Sequence, residues 1–501
     1  MRFRILATLT LVSLVTSMGC GGSGSKTHSP QSTPPPTLVP LTQLSSDTFT
    51  NSTSQHETEV EAHAWSNGST IVSAFQVARI FGGGGADIGF ATSTNGGASW
   101  SNGVLPGITT FDGGVYSAVS DPAVAYDAAH SVWMISTLPI NSQTDKVAVS
   151  VSSDGMNWGN PTIVSTTPDA DKNWVACDST PTSPFFGHCY VEWDDPSNGG
   201  MIWMSTSTDG GLTWGTARST LNLASGIGGQ PVVEPGGKVI VPIENFDGMS
   251  MIAFSSSDGG STWGAATLAA TITDHLVAGN LRTSPLPAAA VDAGGTAYLV
   301  WQDCRFRTGC ASNDLVLSTS SDGVTWTVPA RVPIDAVTST ADYFIPGLAV
   351  EPGTSGSTAH LGLMYYFYPA ANCTTVTCAL NAGFISSLDG GSTWSLPTTM
   401  AGPMTPTWLP NTFAGLMVGD YSSVAFSGGK AFPVFPVAGS NSGTLFNEPT
   451  FATSSGFAMR ESAAVLTSEG EHPVPGAHSD HPPRRFYDQE HRHPIRPPER
   501  E

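Results

Sequence analysis

Seven stretches of this sequence place a charged or amide side chain beside a short run of small and β-branched residues: Glu57 and Glu59, Asp121, Asp171 with Lys172, Gln230, Arg282, Asp342 with Tyr343, and Asp420 with Tyr421. Carboxylates and a phenol can accept, donate or relay protons, and a lysine or arginine beside them can hold a polar ligand group. That chemistry requires convergence, so the elements carrying these residues must bring distant stretches onto one surface. Cysteine offers a second chemistry. Besides Cys20 there are three close pairs, Cys177 with Cys189, Cys304 with Cys310 and Cys373 with Cys378. Local disulfides in an oxidising compartment account for them, free buried thiols being the alternative. The pairs lack a second Cys or His pair at zinc-site spacing, and the acidic loops lack calcium-ligand spacing, so no metal or other cofactor is expected.

The positioning elements follow from an internal repeat. Six copies of one short pattern end in tryptophan, at 93–100, 153–158, 207–214, 256–263, 321–326 and 387–394; the third reads Ser207-Thr208-Asp209-Gly210-Gly211-Leu212-Thr213-Trp214. An Asp side chain can accept from backbone amides just beyond it, glycine takes positive φ, and tryptophan covers the turn with apolar surface. Each copy therefore closes a hairpin. Upstream of each lie three strand-like runs, in the fifth unit at Ala288–Val291, 296–301 and 314–319. A seventh unit, at 421–426, 430–435 and 448–453, ends in Ser454-Ser455-Gly456 where its box has decayed. Abundant Gly (55) and Pro (37) with only 12% charged residues also favours short strands and tight turns over helices. The expected class is all-β, with repeated antiparallel units around one axis.

The repeat resembles the Asp-box, or bacterial neuraminidase repeat, of the sialidase-like family, with Asn95 replacing Asp in the first copy and the copies around Asp154 and Asp322 one residue shorter. The resemblance covers residues 38–456. It implies a seven-bladed β-propeller of four-stranded antiparallel blades, a six-bladed sialidase propeller being the alternative, with residues 38–44 as the last blade's outer strand. The boxes would lie away from the active face, and the starts of the inner strands would surround the channel mouth. Sialidases use three arginines on a substrate carboxylate, a tyrosine nucleophile activated by a glutamate, and an aspartate acid/base. Carried onto this chain, Tyr421 is the candidate nucleophile, Asp171 the acid/base, and Glu234 or Glu244 the activator. Arg79, Arg282 and Arg305 are the candidate carboxylate ligands, with Asp121, Lys172, Gln230, Asp342 and Tyr343 as further substrate contacts. Lys172 would lower rather than raise the pKa of Asp171. Two readings follow: a glycan-recognising, exo-acting glycoside hydrolase of the exo-α-sialidase kind, or a non-catalytic propeller binding carbohydrate or protein at the mouth.

Residues 1–20 read as an export signal, with Arg2 and Arg4 before an apolar run and Ser17-Met18-Gly19-Cys20, which resembles a bacterial lipobox. Cys20 is the expected lipidation site of an envelope protein, plain secretion being the alternative. Residues 21–37 form a Gly/Ser/Pro-rich tether, 38–457 the repeat domain, and 458–501 a Pro/His-rich tail expected to be disordered. A net charge of −21 excludes nucleic acid as a partner and disfavours anionic ligands at long range. The membrane is expected to be met through the lipid alone, and the chain to be a monomer bound to a glycan or glycoconjugate.

Overall fold

A computed structural model describes residues 34–141, 145–167, 169–459, 466–467 and 472–474. The expectations for the export signal, Cys20, most of the tether and most of the tail lie outside these residues. Among the described residues every helical element is a three-residue 3-10 turn, and all other regular structure is antiparallel sheet. No helix among them is long and apolar enough to cross a membrane.

The strands fall into the expected repeating units. The fifth is Ala288–Val291, Ala297–Asp303, Asp314–Ser320 and Ala330–Arg331, paired in that order. The sixth, Asp342–Val350, Leu361–Tyr368, Leu380–Ser387 and Thr398–Met404, follows the same plan. The third has only three strands, Asp171–Cys177, Cys189–Asp195 and Met201–Ser207, with two isolated bridges, Met204 to Arg218 and Met201 to Ser225, in place of a fourth. The first and second units merge into a nine-stranded sheet through one bridge, Gly85 to Val119. The seventh, Ser423–Ser427, Lys430–Pro436 and Thr450–Thr453, takes Leu41–Gln43 as its outer strand, with Thr42 opposite Ala452. Strands such as Gly85–Ser93 are buried at every residue, because neighbouring sheets cover both faces.

The box turns hold as their chemistry requires. In the third copy the Asp209 carboxylate accepts from the Thr213 amide at 3.0 Å and the Thr213 hydroxyl at 2.6 Å, while Ser207 Oγ accepts from the Gly211 amide at 3.0 Å. The shorter copies use the same device one residue earlier than expected: the capping hydroxyls are Ser152 and Ser320, not Ser153 and Ser321. The box glycines also set the spacing between sheets. At Gly260 (φ +80°) a Cβ would stand 2.2 Å from Thr206 of the third unit, and at Gly391 (φ +91°) 2.5 Å from Leu317 of the fifth. Each box thus abuts the preceding unit, and the first follows suit with Gly97 against Phe432 of the seventh.

All three cysteine pairs are disulfides. Cys177 and Cys189 face each other on adjacent strands, whereas the other two close loops between second and third strands. Such bonds fit an oxidising compartment.

Candidate functional site

Glu61, Asp121 and Lys172 lie at the starts of the first three inner strands, and each has a left-handed backbone, with φ of +57°, +46° and +49°. That conformation costs a non-glycine residue on the order of 1–2 kcal/mol. It interrupts strand alternation: the ladder shifts register beside Asp121 and Lys172, and their side chains meet across the units. Lys172 Nζ bonds Asp420 and lies 3.2 Å from Asp121 Oδ1 and 3.6 Å from Glu61 Oε1. Arg282 donates to the same Asp420 carboxylate through Nε at 2.8 Å and a terminal nitrogen at 2.5 Å. Gln76 bonds Glu61 and donates to Ser120 at 2.9 Å. None of Glu61, Gln76, Asp121, Lys172, Arg282 and Asp420 is more than 5% exposed.

Burial dominates its electrostatics. Desolvation raises Glu61 well above the usual carboxyl range, with Asp121 adding to it and Lys172 opposing it. Desolvation also raises Asp121, against the pull of Lys172. Burial alone would raise Asp420 too, but Arg282 and Lys172 outweigh it and hold its carboxylate well below the usual range. Two cations, Lys172 and Arg282, thus face three carboxyls in the hub.

Tyr421 sits beside the hub. Its hydroxyl donates to the Pro122 carbonyl at 3.1 Å and its ring meets Trp174 edge-on at 5.1 Å. Burial, then Glu61 and Asp121, pushes its pKa well above the ordinary phenol value. Asp171 is buried and accepts from the Lys172 backbone amide at 2.9 Å, while the Lys172 ammonium goes to the hub.

The remaining sequence candidates are scattered. Arg79 donates to the Gly84 carbonyl at 2.7 Å and to Met417 Sδ at 3.3 Å, beside Leu416, which accepts from the Arg282 amide. Arg305 is held by Asp303, two residues away, and by the Thr271 carbonyl, so the three arginines do not share one partner. Glu234 is not beside Tyr421. It forms a turn with Lys238 near the fifth box, because the turn after an inner strand and the turn after the third strand lie at the same end of an antiparallel unit. Glu244 lies within Val239–Asn245, opposite Met251. Glu59 accepts from Ser45 Oγ at 2.7 Å, and burial pushes its pKa up to about 8. Asp342 and Tyr343 join a second cluster that the sequence reading missed, in which Arg307 and Arg331 share Asp314 and Asp335; Tyr343 donates to Asp335 at 2.9 Å. Asp342 accepts from the Asn313 amide, and burial pushes its pKa up to about 7.

The open space lies on the other side of the hub. Seven inner segments, at 63–65, 124–126, 174–177, 230–233, 288–293, 348–353 and 422–424, line one cavity of about 490 Å3. The cavity reaches the turns after the inner strands, through Ser179, Thr180, Pro235 and Glu351, and its lining includes nothing from the disulfide-braced loops at the opposite end. The cavity thus opens toward the box end, opposite the end where the mouth was expected. Its walls are mostly Ala, Val, Pro and Leu; Gln230, Trp174 and His63 bound the end nearest the hub. Among the described residues no group of His, Cys, Asp or Glu is arranged to hold a metal ion.

No family model matches the chain, and no curated protein matches it. Among solved structures it is similar to the Hadza microbial sialidase Hz136, at TM-score 0.43 and 15% identity over 75% of each chain. A protein of unknown function from Dyadobacter fermentans gives 0.44 and 14%, over 70% of this chain and 98% of the other. The GH93 α-L-arabinofuranosidase of Fusarium graminearum, in complex with arabinobiose, gives 0.40 and 14%, over 66% and 92%. At these scores the likenesses carry no weight for function; the chain's own geometry does.

Proposed function

We propose that this chain is a seven-bladed β-propeller that binds a sugar-bearing ligand on its axis without hydrolysing it. The observation that carries this reading is the state of Tyr421: buried, its hydroxyl donated to Pro122, and flanked by carboxyls that Lys172 and Arg282 already engage. A nucleophile needs a free lone pair, a base and substrate access together. Seven blades are supported by the seven segments around one cavity, by the contact of the first box with Phe432, and by the pairing of Leu41–Gln43 with the last unit. Sugar recognition is supported by the rim, where the half-exposed ring of Trp65 and the ring of Tyr126 stand near Ser179, Thr180 and Glu351. Aromatic faces beside hydroxyl-bonding groups are suited to sugar rings. The acidic chain favours a neutral glycan or glycoconjugate. In this reading the protein is exported and held at the cell envelope by acylated Cys20.

The test pairs turnover with binding. Wild type and Tyr421→Phe are incubated with a fluorogenic sialoside and with neutral fluorogenic glycosides, and neutral oligosaccharides are titrated calorimetrically. The expected result is binding without turnover in both proteins. Turnover that disappears in Tyr421→Phe would restore the hydrolase, and a panel with no binder would remove the sugar.

A further inference from the structure

We infer that the sugar taken at the axial opening is a cationic one, an oligomer of amino sugars with free, protonated amines, paired by the Glu351 carboxylate. The inference rests on the glycan reading above and names the chemical class of its ligand.

The charge around the opening is one-sided. The turns that follow the inner strands carry Asp127, Asp178, Glu234, Asp292 and Glu351, against Lys238 and Lys430. Asp292 and Glu351 line the cavity, and no lysine or arginine does. The hub cations Lys172 and Arg282 are already held by Asp420. Carboxylates in a low-dielectric cleft without a compensating cation focus a negative potential there. A neutral glycan meets no penalty in this field, and a cationic one gains from it.

The two lining carboxylates differ in what they leave free. Asp292 accepts from the Gly294, Thr296 and Gly356 amides and from the Tyr298 hydroxyl, so it belongs to its own turn. Glu351 Oε2 accepts from His360 Nδ1 at 2.6 Å, while its Oε1 accepts from no side chain or amide of the described residues. A neutral imidazole suffices for that one bond, which leaves the carboxylate its charge.

Two further features fit a polar, ring-shaped ligand. Ser423 lines the cavity at 4% exposure, and its Oγ has no partner among the described residues, so it is open to a hydroxyl or amine that enters. Trp65 and Tyr126, on the inner strands of the first two units, also line it, and Trp65 is 50% exposed. An indole face attracts the apolar face of a sugar ring and an ammonium alike. An amino-sugar oligomer carries an amine on every ring, so Glu351 and Trp65 can act on different rings and need not face one point.

Chitotriose, its fully N-acetylated counterpart and trigalacturonate are equal in length and carry positive, no and negative charge. Each is titrated calorimetrically into the full chain at pH 6.5, at low and at high salt. Chitotriose is expected to bind at least roughly fivefold more tightly than the acetylated trimer, an advantage that falls below roughly twofold at high salt. Trigalacturonate is expected not to bind. Glu351→Gln, which keeps an oxygen for His360, is expected to cut the chitotriose advantage at least roughly threefold without changing the affinity of the acetylated trimer. Trp65→Ala is expected to weaken both trimers alike, which places them at this opening. Equal or tighter binding of the acetylated trimer, binding of trigalacturonate, an undiminished advantage in Glu351→Gln, or unaltered affinities in Trp65→Ala would overturn the inference and leave the glycan reading standing. If none of the three trimers binds, the glycan reading falls and the inference falls with it.

Discussion

Replacing Lys172 by methionine tests the buried hub. The ammonium bonds Asp420, lies 3.2 Å from Asp121 and 3.6 Å from Glu61, and none of the four side chains is more than 4% exposed. Methionine keeps the length and apolar stem but leaves three carboxyls with Arg282 alone. Removing one partner from a buried ion network costs about 3–5 kcal/mol, because the remaining charge stays desolvated. Urea unfolding, followed by tryptophan fluorescence, should show that loss at pH 8. It should shrink at pH 5: the unpaired carboxyls gain folded-state pKa values above their unfolded ones, so protonation restores the folded state as pH falls. Adding Asp121→Asn should recover part of the loss at pH 8. A loss below about 1 kcal/mol, typical of an exposed pair, or one equal at both pH values, would refute the hub's burial.

The wild-type pH profile follows from the same reasoning. Glu59 and Asp342 have folded pKa values of about 8 and about 7, against ordinary values of 4.5 and 3.8. Groups raised in this way stabilise the fold fully below their unfolded pKa and lose that contribution as pH rises through the folded value. The urea midpoint should therefore decline from pH 5 to pH 9, and Glu59→Gln should flatten part of the decline; a rising midpoint contradicts this. Asp322 behaves in the opposite way, since the Thr325 and Val324 amides hold it down at about 2, so its contribution should be lost as pH falls from about 4 toward 2. Ser152→Ala should cost about 1 kcal/mol, because the Gly155 amide loses its acceptor, whereas Ser153→Ala should change little. Gly391→Ala should cost about 2 kcal/mol or more, through positive φ and the clash with Leu317; a neutral effect in thermal unfolding would contradict the box-to-unit contact.

The sequence revealed what is local. The box turns, the three disulfides and strands such as Ala288–Val291 are all set by residues within a dozen positions of one another. The hub is not local: Lys172 and Asp420 are 248 residues apart, and their meeting depends on how the units are arranged. Alternation also misled at Glu57 and Glu59, because the left-handed turn at Glu61 decides which glutamate reaches the hub. Glu234 and Arg305 were placed by residue type without their neighbours, and Asp303 two positions before Arg305 was the signal that pairing, not ligand binding, would claim it.

The ring itself is tested most directly by a cross-link. Thr42 and Ala452 are opposite one another where the first strand joins the last unit. In a Cys20→Ser background, Thr42→Cys with Ala452→Cys should form a disulfide, seen by mass spectrometry of the linked peptides, and should raise the unfolding midpoint because it closes a very long loop. Free thiols at both positions in the folded protein would mean that the ring does not close there, and the shared axis and its cavity would be lost with it.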